Sequence, residues 1–128
     1  MTLLLDTHAF LWFCQGDASL SVHAKSLIED PGNRKLLSVA SCWEIAIKAG
    51  LGKLKLGEGS RDYISGALDR TGFELLPISL AHATAVEQLP MHHKDPFDRL
   101  LITQVMADGL EIVSVDQQFD AYSITRHW

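Results

Sequence analysis

Four carboxylates in this 128-residue chain stand where apolar runs give way to helix starts: Asp6, Glu44, Asp98 and Asp116. The clearest instance lies in His92-His93-Lys94-Asp95-Pro96-Phe97-Asp98-Arg99-Leu100-Leu101-Ile102. Asp95-Pro96 is a helix-start signal, an aspartate able to cap followed by a proline whose missing N–H costs nothing at the first helical position. Asp98 then falls in the first turn, where the positive end of the helix dipole favours a carboxylate. Taken alone, Asp98 could do no more than stabilise that helix end. Several such acids meeting at one place would do more. Crowded carboxylates repel and resist ionising when half-buried, and a divalent cation removes the conflict. Hard oxygen donors suit Mg²⁺ or Mn²⁺, which typically leave room for water and a phosphate. The chemistry to expect is metal-assisted hydrolysis of a phosphodiester, with Asp6, Glu44, Asp98 and Asp116 as ligands.

The elements that must position these acids follow from periodicity and punctuation. Leu3-Leu4-Leu5 reads as a short buried strand ending at Asp6, and Thr7 to Phe13 as a short helix stopping near Gly16. Ser21 opens a second helix, halted by Asp30-Pro31-Gly32. Residues 35–40 read as strand two. Ser41 and Glu44 have the S-x-x-E spacing of a capping box at the start of helix three, which competes with a functional role for Glu44. Residues 50–57, with lysines alternating with leucines between glycines, suggest a turn and a short extended segment with a basic face. Ser60 begins helix four, closed by Gly72; residues 73–78 read as strand three, whose proline argues for a sheet edge or a strand end. Ser79 caps helix five, halted by Pro90. The helix from Asp95 runs to Gly109, residues 110–115 form strand four ending at Asp116, residues 117–122 a helical turn, and residues 123–128 a last short strand.

Strands that alternate with helices imply a mainly parallel sheet covered on both faces. In such folds the site lies beyond the carboxyl ends of the strands. Asp6 and Asp116 end strands there, Glu44 follows one, and Asp98 sits in the first turn of the helix before strand four. Thr7 and Ser114 stand beside those ends, as partners for ligand carboxylates or as ordinary turn residues. Lys48, Lys53, Lys94 and Arg99 are candidate phosphate contacts. His8, His92 and His93 offer no convergent nitrogen set of the kind zinc requires.

Composition narrows the alternatives. The length suits one domain spanning residues 1–128, without disulfide or metal staples. The net charge of −5 is unlike that of a general nucleic-acid binder, though it leaves nucleic acid open as a substrate of an acidic, cation-loaded pocket. The two cysteines, Cys14 and Cys42, have no metal-like spacing and are expected as reduced thiols of a cytoplasmic protein. No apolar run is long enough to span a membrane, and the N-terminal residues lack the pattern of a signal peptide.

Leu-Leu-Leu-Asp-Thr-His at 3–8, Ser-x-x-Glu-Ile at 41–45, His-Lys-Asp-Pro-Phe-Asp-Arg-Leu-Leu at 93–101 and Val-Ser-Val-Asp at 113–116, in that order, resemble a PIN domain, most closely the VapC-type toxins of bacterial toxin–antitoxin pairs. The resemblance spans nearly the whole chain. It implies an α/β/α sandwich and a Mg²⁺- or Mn²⁺-dependent endoribonuclease. The family's acids map onto Asp6, Glu44, Asp98 and Asp116, and its hydroxyl positions onto Thr7 and Ser114. Asp95 competes with Asp98 for the third acid position; the spacing to the following Leu-Ile run favours Asp98. Asp120 could support Asp116. The resemblance also implies a homodimer, neutralised by a small antitoxin whose tail crosses the active-site groove, and operator DNA bound only through that antitoxin. Two alternatives remain at this level. One is a PIN-like module that binds a protein or nucleic acid without cutting. The other is a phosphatase using Asp6 as nucleophile, disfavoured because position 8 is His and no lysine is placed for an acyl-phosphate.

Overall fold

The computed structural model describes residues 1–128. Five strands form one parallel sheet, β1 (Thr2–Leu5), β2 (Arg34–Ser38), β3 (Glu74–Leu76), β4 (Glu111–Val113) and β5 (Arg126–His127), in the spatial order β3-β2-β1-β4-β5. Six α-helices connect them: α1 (Thr7–Gln15), α2 (Val22–Glu29), α3 (Val39–Gly50), α4 (Ser60–Thr71), α5 (Leu80–Ala85) and α6 (Pro96–Asp108). The expected α/β architecture is therefore the one found. No helix is long and apolar enough to cross a membrane.

Leu3-Leu4-Leu5 shows why the sheet is sandwiched. Side chains alternate across a strand, so Leu3 and Leu5 point one way and Leu4 the other, and all three are fully buried. Leu3 and Leu5 join Phe10, Ile28, Ile45 and Ile64, drawn from α1, α2, α3 and α4. Leu4 joins Leu101, Ile102 and Val105 of α6 on the opposite face. Strand β1 has no water-facing side, which is why its sequence does not alternate.

The chain runs outward from central β1 through β2 to β3, then returns to the other side of β1 as β4. The reversal leaves a crevice beyond the carboxyl ends of β1 and β4, where open α/β sheets take ligands. The Asp6 backbone N–H donates to the Val113 carbonyl at 3.1 Å, so the two strand ends stay joined one residue past the sheet.

Boundaries differ from the sequence expectation in several places. Strand β2 stops at Ser38, and α3 begins at Val39 with Ser38 as its N-cap, its hydroxyl accepting from the Ala40 N–H at 3.0 Å. Ser41 and Glu44 therefore lie inside the helix and form no capping box. Ser38 wins because its buried hydroxyl also donates to Gln104 Oε1 of α6 at 2.6 Å, a contact distant in sequence. Residues 51–59 form turns rather than an extended segment, with Gly52 and Gly57 at positive φ. Strand β3 is shorter than its apolar run, stopping at Leu76 just before Pro77, and it lies at the sheet edge. Residues 117–121 form a 3₁₀ turn, and β5 supplies the short terminal strand.

Candidate functional site: an acidic pocket at the sheet's carboxyl edge

Asp6, Glu44, Asp98 and Asp116 line one pocket of about 280 Å³, together with Thr7, His8, Lys48, Asp95 and Val115. Each acid arrives for a local reason. Asp6 is the N-cap of α1, its Oδ1 accepting from the Ala9 N–H at 2.8 Å. Glu44 is carried by the second turn of α3, whose start at Val39 turns it inward. Asp98 sits in the first turn of α6. That turn is fixed by Asp95, which accepts from the N–H groups of Phe97 and Asp98, and by Phe97 packing edge-on against Trp43 of α3 with ring centroids 5.4 Å apart. Asp116 follows β4 and caps the 117–121 turn, Oδ1 accepting from the Gln118 N–H at 2.9 Å.

The partners of these acids differ. Buried Glu44 has both oxygens engaged: the Thr7 hydroxyl donates to Oε1 at 2.6 Å and Lys48 Nζ donates to Oε2 at 2.7 Å. The Ser41 hydroxyl lies 3.0 Å from that of Thr7 and completes the group. Ser114 is fully buried; its Oγ accepts from the Asp116 N–H at 3.0 Å, and it sits against Asp6. Burial pushes the Asp6 carboxyl up, a rise opposed by hydrogen bonds from Ser114 and Ala9 and by nearby His8, and augmented by Glu44. The Asp98 carboxylate has no hydrogen-bond partner within the chain. Burial, and then the charges of Asp95, Asp6, Glu44 and Asp116, push it up to about 7. Without added positive charge, this pocket holds a carboxyl that is half protonated near neutral pH.

His93 is the residue that sequence reasoning set aside. It is 4% exposed, stacked on Phe119 with centroids 4.7 Å apart, and its Nε2 lies 2.9 Å from Asp116 Oδ2. The Tyr122 hydroxyl sits 3.2 Å from Nδ1 and accepts from the His93 backbone N–H at 3.1 Å. The Tyr122 hydroxyl also lies 3.3 Å from the Pro90 carbonyl, so its single proton faces two acceptors, while an Nε2–H donated to Asp116 Oδ2 is a usual way for an imidazole to orient a carboxylate. Donor atoms of His93, Asp98 and Asp116 all lie within 4.8 Å of one another. The sequence signals for His93 were its place two residues before a capping aspartate and at the head of the 93–101 motif.

The basic candidates separate. Lys48 pairs with Glu44 at i,i+4, a relation the spacing itself could have shown. Lys53 is exposed beside the pocket, and exposed Lys94 makes no side-chain bond within the chain. Arg99, expected to meet phosphate, instead is buried. Its Nη1 donates to the carbonyls of Pro90 and His93 and its Nη2 to those of Val86 and Leu89, at 3.0–3.3 Å. The carbonyls of Leu89 and His93 have no other donor, whereas that of Val86 also accepts from the Leu89 N–H and that of Pro90 from the Tyr122 hydroxyl, and all four Nη–H groups are spent on this 86–93 segment. Asp120 is turned away in a two-pronged pair with Arg126, so it does not support Asp116. Asp95 spends one oxygen as a helix cap and forms the pocket's rim. The cysteines are free and half-buried.

Thr7→Val tests the Glu44 anchor. It keeps shape but removes the 2.6 Å bond, leaving a buried carboxylate oxygen without its donor. Stability in urea should fall by about 1–3 kcal/mol. An unchanged midpoint and slope would mean that Thr7 does not hold Glu44.

The donor set fits a hard divalent cation: oxygen atoms from several carboxylates, one without any partner, in a pocket whose charges repel. Comparisons with known proteins agree with this architecture. The sequence model of the PIN domain family matches residues 3–124. A curated relative, Ribonuclease VapC16 of Mycobacterium tuberculosis, is 41% identical over 58 residues, which cover 45% of this chain and 41% of that protein. The chain thus matches well under half the length of that relative. Among solved structures, VapBC2 from Rickettsia felis bound to a promoter DNA fragment is similar in fold, with a TM-score of 0.73 at 17% identity over 100% of this chain and 99% of that one. DNA-bound VapBC from Salmonella typhimurium gives 0.70 at 14% identity over 99% and 97%. A family match over almost the whole length, on a five-stranded parallel sheet with four acids at its carboxyl edge, means that this chain belongs to the PIN domain family.

Proposed function

We propose that this protein is a VapC-type toxin, a Mg²⁺- or Mn²⁺-dependent endoribonuclease of the cytoplasm, restrained by a small antitoxin. The observation that carries the reading is Asp98: a half-buried carboxylate without a hydrogen-bond donor, facing three other acids. A fold does not retain such a group for stability, since it raises the energy of the metal-free protein. Asp6, Glu44, Asp98 and Asp116 are the residues that would hold the cation. A bound divalent cation supplies counter-charge and Lewis acidity for phosphodiester hydrolysis. The chain's own groups do the positioning. Thr7 and Lys48 hold the two oxygens of Glu44. Ser114 joins Asp6 to Asp116, and His93 fixes the second oxygen of Asp116. Exposed Lys53 and Lys94, and Lys48 at the rim, are available to RNA phosphates.

The names of the relatives support the partners. One is a ribonuclease, and the similar folds come from VapBC complexes, some on DNA. Operator DNA would then be reached through the antitoxin, consistent with the chain's negative charge. A homodimer is part of the same proposal. The exposed face of α3 displays Val39, Trp43, Ile47 and Leu51 at four-residue intervals, an apolar stripe of the kind that subunit contacts cover.

The direct test uses antitoxin-free protein and RNA. Cleavage should require Mg²⁺ or Mn²⁺, stop with EDTA and return when the metal is restored in excess. Cleavage that proceeds in EDTA would remove the metal from the account. A stable RNA complex without any cleavage in either metal would favour the non-cutting module instead.

A further inference from the structure

The acidic pocket does not end at Thr7 and His8. Those residues and Lys48 also border a second hollow of about 290 Å³, near the lower end of the roughly 300–1,000 Å³ of small-ligand pockets. Its remaining walls are Leu11, Trp12, Gln15, Lys53 and Leu54. Positions 7, 8, 11, 12 and 15 recur at helical spacing, so one face of α1 builds one side. The last turn of α3 and the turn after it bring Lys48, Lys53 and Leu54 to the other. The two hollows therefore adjoin across Thr7, His8 and Lys48, the first lined by acids and the second carrying Lys48 and Lys53.

The lining is chemically mixed in a specific way. Leu11, Leu54 and the Trp12 ring offer flat apolar surface. Trp12 is braced by His8 and Trp128, at ring centroid distances of 5.5 and 5.8 Å, so that surface is held in place. Gln15 carries an amide able to donate and accept toward a heterocycle edge. Lys48 and Lys53 bring positive charge to an otherwise acidic chain. We propose that this hollow receives one unpaired nucleobase of a single-stranded RNA, that of the nucleotide adjoining the phosphodiester held at the acidic pocket, and that Gln15 reads its edge. The inference rests on the ribonuclease reading of the acidic pocket. An unpaired base is required because bases in an A-form duplex keep their faces stacked and their edges paired.

The test separates the two ideas. A fluorescein-labelled single-stranded oligoribonucleotide is bound to the full chain in an Asp98→Asn background, and an abasic site is moved along it. Anisotropy should show one position where base removal weakens binding by about tenfold. Adding Gln15→Trp, an exposed position at which indole fills the hollow, should shrink that penalty to less than about twofold. Adding Lys53→Ala should weaken every oligonucleotide alike and leave the penalty in place, as a phosphate contact does. A penalty that persists in Gln15→Trp, or no position with a penalty, overturns the base-binding hollow even if the wild-type chain cuts RNA. The first of these is also the result expected if the hollow serves a protein segment. Wild-type protein that leaves RNA uncut while the penalty behaves as described would overturn the ribonuclease reading alone.

Discussion

Asp98→Asn should abolish RNA cleavage and, at the same time, stabilise the metal-free protein at neutral and alkaline pH. Loss of a ligand that stabilises transition-state charge by several kcal/mol lowers the rate on the order of 10³-fold. The stability effect has the opposite sign. Burial and neighbouring acids raise the Asp98 carboxyl from 3.8 to about 7, so the folded state resists its ionisation. Below the unfolded value the group is protonated in both states and costs nothing. As pH rises toward 7 the unfolded chain ionises first, and stability is lost across that window. The full displacement corresponds to about 4 kcal/mol, and access of solvent to a half-open pocket reduces it to about 2. Asparagine carries no such penalty. Urea unfolding in EDTA should therefore show the variant about 2 kcal/mol more stable than wild type at pH 8 and equal to it near pH 4. Mg²⁺ should raise the melting temperature of the wild type but hardly that of the variant. A variant less stable than wild type at pH 8 would show that Asp98 serves the fold and not a ligand.

Arg99→Ala should be among the most destabilising single changes in the chain. The guanidinium is 8% exposed and binds the carbonyls of Val86, Leu89, Pro90 and His93. Removing it leaves the Leu89 and His93 carbonyls without a donor beside a cavity and takes one donor from those of Val86 and Pro90, and a loss of about 3–5 kcal/mol follows. Lysine cannot replace it, because a single ammonium does not span four acceptors in a planar fork. The damage should reach the site. The loop that Arg99 holds carries His93, and His93 holds Asp116 at 2.9 Å. At a temperature where the variant is still folded, Mn²⁺ affinity should fall roughly 10–100-fold, as for loss of a group that orients a ligand. A destabilisation below about 1 kcal/mol would mean that the 86–93 loop is held by other contacts.

The positions of Asp6, Asp98 and Asp116 were legible in the sequence because each stands at a local strand-end or helix-start signature, whereas the capping-box spacing at Glu44 is not used. Asp95-Pro96 announces α6, Gly109 at φ 64° ends it, and Asp6 follows a run of leucines that only a strand buried on both faces would need. The start of α3 was not legible. Ser38 and Ser41 are both credible caps, and the choice is made by Gln104, sixty-six residues away. Arg99 looked like a phosphate ligand because its neighbours are acids and histidines, whereas its role depends on four carbonyls of a loop that has no pattern. His93 was obscured for the same reason. Its partners Phe119, Tyr122 and Asp116 come from the far end of the chain, and only the return of the chain to β4 brings them together. Local propensity placed the helix ends; long-range polar contacts decided which residues face the pocket.

Asp6, Glu44, Asp98 and Asp116 should together hold a divalent cation. Crystals soaked in Mn²⁺ and measured for anomalous scattering test it most directly. A peak is expected within coordinating distance of Asp98 and at least one of Asp6, Glu44 and Asp116, absent in Asp98→Asn. A saturating soak with no peak in this pocket, or with its strongest peak elsewhere on the molecule, would contradict it.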